Sequence, residues 1–218
     1  MQNSNNISLD RLCALFSQAR LDKYANIAQH EANLALIGKI SHKIGILEII
    51  LRNTIDSIMH SQDSLWLDNL PSDIELELPK EPNPLRDKLV SMQSLGFWVR
   101  VVEHYKIHNR VFDIGFLNSL DLKKYCVKNK NRFNPNVCLK NYHKAKAILQ
   151  LFRLIRNRAF HFENLHKITN KGYPRLNIKI QNKYKSNLYI AIEPSKIVDF
   201  LNDLIASFDK DLIYYAEK

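Results

Sequence analysis

Arg156, Asn157 and His161 stand within six residues in the stretch LIRNRAFHFENL, Leu154 to Leu165. An arginine fork donates two parallel hydrogen bonds to a phosphate or carboxylate, and a histidine gains or loses a proton near neutral pH. Arg153 and Arg158 extend the cationic character on either side. An apolar helix built for burial avoids such a run, so two readings stand open. Either the stretch is a solvated helix end whose basic groups complement the helix dipole, or it is a site that handles an anion and a proton.

The charge around the motif favours an anionic partner. Between Leu122 and Ile192 there are 17 Lys and Arg against one acid, Glu163. The whole chain holds 32 basic and 22 acidic residues, so nearly all the acids lie outside this third. Such asymmetry predicts a positive face that attracts a polyanion.

The elements that position these residues follow from periodicity. Residues 8–60 read as helix, with Ile37, Ile40, Ile44, Leu47, Leu51, Ile55 and Ile58 at three-and-four spacing. Residues 68–84 hold four of the seven prolines and read as a loop. Helix resumes over 85–105 with an interruption at Gly96, and 111–125 is read as a short helix. A polar loop covers 128–136, and a strong helix runs from Tyr142 to about Phe160. Alternation in Leu176, Ile178, Ile180 and Leu188, Ile190, Ile192 predicts a hairpin over about 175–193, and Pro194 opens a final helix. The expectation is one all-α domain over residues 1–218, a helical bundle with a small β-hairpin insertion before the last helix.

Helix geometry sets a condition on the motif. Residues five apart lie about 140° apart on a regular helix, so Arg156 and His161 do not share a face. Either a π-type bulge lies between them or the helix ends near His161.

Other signals are weaker. Cys13, Cys126 and Cys138 form no C-x-x-C pair and are expected to be reduced packing residues. His104 and His108 have zinc-helix spacing, but Tyr105 occupies the position of the glutamate in H-E-x-x-H and no third ligand is evident. His30, His42, His60 and His143 are isolated, and Trp66 and Trp98 are expected in the core or at an interface. No leader or run of eighteen apolar residues is visible, so a cytoplasmic protein without membrane contact is expected, with no metal and no cofactor.

Three blocks carry a family resemblance: LEIILRN (Leu47 to Asn53), SLGFWVRVVEHY (Ser94 to Tyr105) and RNRAFHFEN (Arg156 to Asn164). Together they resemble the Abi-like abortive-infection branch of the HEPN superfamily, whose ribonucleases carry R-x(4 to 6)-H with a polar residue after the arginine. The chain departs from that pattern at Phe160, where a small residue is usual, and at Phe162, where a second histidine is frequent. The resemblance implies a HEPN-like bundle and an RNA-cleaving toxin of phage defence that needs no metal. It implies catalysis by Arg156 and His161 with Asn157 assisting, RNA or tRNA as substrate, a homodimer, and a possible antitoxin.

Supporting roles are assigned to Glu163, as holder of the His161 tautomer, and to Glu48 and Arg52, an i,i+4 ion pair beside Asn53. Arg153, Arg158, Lys179, Lys183 and Lys185 are the expected RNA-backbone contacts. A non-catalytic RNA- or partner-binding module is the alternative.

Overall fold

The computed structural model describes residues 7–82, 84–170 and 172–217. Helix dominates, with two small antiparallel hairpins, so the chain is predominantly α.

The backbone of the bundle is α3 (Ile27–His60), 34 residues and about 51 Å long at 1.5 Å per residue. Its buried stripe is the expected one, with Ile40, Ile44, Leu47, Leu51 and Ile55 wholly covered. The N-terminal helix expected from residue 8 is divided. α1 (Leu9–Phe16) ends at Ser17, whose φ is 68°, and α2 (Gln18–Leu21) is a single turn. α3 then starts afresh because the Asn26 side chain accepts the Gln29 N–H at 2.9 Å, a local bond that competes with helix continuation. This break lets Arg20, Lys23 and Tyr24 fold back beside the end of the motif helix.

After the proline-rich loop come α4 (Arg86–Met92) and α5 (Leu95–Tyr105). Their boundary lies at Gln93 and Ser94, two residues before the expected one. Ser94 caps α5, and the Gln93 amide is pulled toward the backbone of Glu77, at 2.9 Å for both bonds. Gly96 belongs to the first turn of α5 instead. The Arg153 guanidinium lies beside it, 3.5 Å from where a Cβ would stand, an ordinary contact distance.

After α6 (His108–Val111), the segment expected as one short helix over 111–125 is two pieces, α7 (Ile114–Ser119) and a 3-10 turn over Leu122–Lys124. The following loop contains an unexpected hairpin, β1 (Arg132–Asn134) with β2 (Val137–Cys138).

The motif helix α8 (Asn141–Phe160) buries Ala145, Ile148, Leu149, Phe152 and Ile155. Against it packs the expected hairpin, β3 (Asn177–Gln181) with β4 (Asn187–Ala191), in the register Ile178↔Ile190 and Ile180↔Leu188. α9 (Ile197–Ala206) follows a 3-10 turn opened by Pro194, and α10 (Leu212–Tyr215) closes the chain. Leu201, Leu204 and Ile205 join Ile44, Leu47, Val101, Phe152 and Ile155 in one continuous apolar core. Trp66 and Trp98, each 2% exposed, are core residues. Among the described residues no helix is long and apolar enough to cross a membrane.

Candidate active site at the end of helix α8

The irregularity that the motif requires is present as a helix end. Phe160 is the last residue of α8, and His161 caps it with φ −92° and ψ 6°. Phe162 then adopts φ 51°, in the left-handed region. Its N–H bonds to the Ala159 carbonyl and the Glu163 N–H to the Arg158 carbonyl, both at 2.9 Å. This is a Schellman termination with phenylalanine where glycine is usual. A side chain costs about 1–2 kcal/mol in that conformation, so the surroundings must hold it.

They do so from the N-terminal arm. Arg20 Nη1 donates to the Phe162 carbonyl at 3.2 Å. Asn33, wholly buried on α3, donates through Nδ2 to the Glu163 carbonyl at 3.2 Å and accepts the Leu165 N–H at 2.8 Å. The same Nδ2 reaches the Tyr24 hydroxyl, and Asn164 Nδ2 donates to the Lys23 carbonyl at 2.7 Å. The backbone after His161 is thus clamped by residues far away in sequence.

His161 opens into a groove of 550 Å³ bordered by Arg20, Lys23, Lys167 and Arg175, with Tyr24 and Glu163. Four cations and one acid make the groove positive. Among the described residues no hydrogen bond engages the exposed imidazole of His161.

Arg156 lies on the other side of the helix end. Its Nε donates to Glu48 Oε1 at 3.0 Å, and its guanidinium lies 5.3 Å from the centre of the Phe160 ring. Nη1 reaches Asn157 Oδ1 at 3.4 Å. The aromatic ring at 160 therefore caps Arg156, a contact a small residue would not make. Arg156 is one-third exposed and does not line the His161 groove, so within one chain the two motif residues flank the helix end without touching.

Several expected roles change. Glu48 pairs with Arg156 and not with Arg52; Arg52 donates instead to Asn53 Oδ1 at 3.3 Å and to the Ser91 carbonyl at 3.2 Å. The inter-helix partner prevails because α8 presents a guanidinium directly to Glu48. Glu163 does not hold His161: its Oε2 accepts Arg158 at 2.6 Å and faces Arg175 at 3.4 Å. That pairing also leaves Arg158, expected to be an RNA contact, with a side chain only 17% exposed and its charge paired. Arg153 remains exposed over Gly96.

The hairpin lysines are exposed but do not line the groove. Lys179 stands opposite Tyr189 on the outer face of the hairpin. Lys183 lies 4.8 Å from the Tyr184 ring centre, and Lys185 takes φ 61° in the turn.

Sequence reasoning missed Arg20, Lys23, Tyr24 and Asn33. Only Asn33 carried a signal, as a polar residue at helical spacing from Ile37 and Ile40 on the buried stripe. His104 and His108 stand on separate helices divided by Lys106, whose φ is 56°. Among the described residues no three His, Cys, Asp or Glu side chains form a metal-binding group, and the three cysteines are unpaired. No protein-family model, curated protein or solved structure matches the chain.

Proposed function

We propose that the chain is a HEPN-type endoribonuclease that cleaves RNA without a metal ion, as an Abi-like toxin of phage defence in the cytoplasm. The observation that carries this reading is the end of α8: it leaves the His161 imidazole free in a cationic groove, with Arg156 braced by Glu48 just before it.

RNA cleavage of this kind needs a base to take the ribose 2′-OH proton. The 2′-oxygen then attacks phosphorus, and an acid protonates the departing 5′-oxygen. A cation must hold the added charge on the phosphorane. Among the described residues one histidine, His161, lines the groove, so a single chain offers either the base or the acid. A two-fold homodimer that apposes two α8 ends supplies both, with Arg156 from each side facing the phosphate. Ile49, Phe160 and Phe162 support this arrangement, being large apolar residues 51%, 41% and 51% exposed around the motif. Asn157 orients Arg156, and Arg20, Lys23, Lys167 and Arg175 hold flanking phosphates. The basic and aromatic outer face of the hairpin gives further backbone contacts, and an antitoxin would cover the same positive surface.

Alanine at Arg156 or His161 should abolish RNA cleavage in EDTA while far-UV circular dichroism and salt-sensitive RNA binding persist. Activity retained by the purified double variant would contradict the assignment.

The Arg156–Glu48 pair favours a second reading, in which Arg156 only braces two helices and the chain is a non-catalytic RNA-binding module. Salt-dependent RNA binding without product, from wild type and variants alike, would favour it.

A further inference from the structure

A cavity of 670 Å³, within the size range of small-ligand sites, opens where α3, the loop after the Leu122–Lys124 turn and the start of α9 meet. It shares no residue with the His161 groove: His166 lines the cavity, whereas the next residue, Lys167, lines the groove.

Leu36, Ile168 and Val198 give the cavity an apolar wall, and its charged groups are of both signs. Lys39 and Glu193 stand in the wall, and neither is ion-paired among the described residues. Lys128 is a second cation, but its ammonium already donates to the Gly172 carbonyl at 2.6 Å and lies 4.7 Å from the centre of the Tyr173 ring. Cys126 is buried, and burial with the Glu193 carboxylate nearby pushes its thiol pKa up, so the sulfur stays neutral and leaves the carboxylate charge unbalanced.

Burial lowers the His166 pKa, so that ring is neutral near pH 7. Its Nε2 is shut off from solvent and meets no partner among the described residues. Buried polar atoms are nearly always matched in folded proteins, so an unmatched one in a cavity wall points to a missing partner.

These features select among ligand classes. A purely apolar occupant would cover Lys39 and Glu193 without pairing either, which is costly. An anion alone leaves Glu193 unanswered, and a cation alone leaves Lys39. A zwitterion with an apolar body meets both charges and the apolar wall together, and its polar ends supply both a donor and an acceptor for the His166 Nε2.

We propose that this cavity binds an α-amino acid or short peptide with an apolar side chain, its carboxylate at Lys39 and its ammonium at Glu193. The inference does not rest on cleavage at His161.

Calorimetric titration of the full-length protein with L-leucine and with leucyl-leucine tests the two sources. N-acetyl-leucine, which lacks the ammonium, and leucinamide, which lacks the carboxylate, test the two ends. Lys39 is exposed and Glu193→Gln keeps the shape of the side chain, so Lys39→Gln and Glu193→Gln should both fold. Each lost charge-assisted contact should weaken leucine by about tenfold or more. Lys39→Gln should weaken N-acetyl-leucine and spare leucinamide, and Glu193→Gln should do the reverse, so the spared analogue also reports a folded cavity. Saturable binding of leucyl-leucine alone, with the same dependence on both residues, assigns the cavity to peptides. No saturable binding of any of the four, or affinities unchanged by both substitutions, would overturn the proposal.

Discussion

Phe162 concentrates the account at the scale of one residue. Its positive φ is required by the Schellman turn, and its half-exposed ring recovers little from burial. Phe162→Gly removes the left-handed cost of about 1–2 kcal/mol and adds about 0.5–1 kcal/mol of unfolded-chain entropy, so stability should rise by about 0.5–1 kcal/mol. Denaturant titration checks this, and a loss of stability would mean that the ring packs more usefully than its exposure suggests. Asn33→Ala acts in the opposite direction. It strands the Leu165 N–H and the Glu163 carbonyl in a buried place, for an expected loss of about 2–4 kcal/mol. The same titration reads it, and a loss below about 1 kcal/mol would mean that water replaces the clamp. These two residues differ in legibility. A polar residue on an apolar stripe is visible in sequence, whereas a left-handed phenylalanine carries no compositional mark. The pairing of Glu48 with Arg156, not Arg52, shows a related limit: i,i+4 spacing reveals which groups could meet on one helix, but a partner from another helix competes unseen.

At the scale of elements, the core face of α3, the extent of α8 and the presence of the β3–β4 hairpin followed from periodicity, because each has one buried face that fixes its phase. The breaks at Ser17 and Gln93 were not legible. The first rests on a positive φ at a serine and the second on the Gln93 amide bonding to the Glu77 backbone, and the fold of the N-terminal arm around the His161 groove depends on the first of them. The N-terminus of α8 predicts a pH response. His143 titrates at about 4 when folded and near 6.5 when unfolded, so the unfolded chain binds more protons between those values. Stability should be full above pH 6.5 and fall as pH drops toward 4. Burial lowers His166 and His108 in the same direction. Thermal melts from neutral to acid pH measure the slope, and His143→Gln, which keeps an acceptor for the Lys140 N–H, should flatten it. A melting temperature independent of pH over that interval would contradict the buried neutral ring.

At the scale of the whole molecule, the basic third of the sequence does not become one uniform face. Lys124, Lys146 and Arg158 are spent on ion pairs, while the His161 groove draws Arg20 and Lys23 from the N-terminal arm. Net charge suggests a polyanionic partner but does not name the residues that would meet it, because pairing is a tertiary property. Dimerisation is the step by which the proposed chemistry acquires its second histidine. Ile49→Glu, outside the groove, should yield a folded monomer in light scattering and lose cleavage with it. A monomeric wild type that cleaves RNA would remove the two-fold site from the mechanism.

The central claim is that His161 moves a proton during cleavage at the ribose 2′-OH. Incubating wild type and His161→Ala with total RNA in EDTA, then analysing the product ends, tests it most directly. The account predicts fragments ending in 2′,3′-cyclic phosphate from wild type and intact RNA from the variant. Intact RNA from both folded, dimeric proteins, or the same fragments from both, would contradict it.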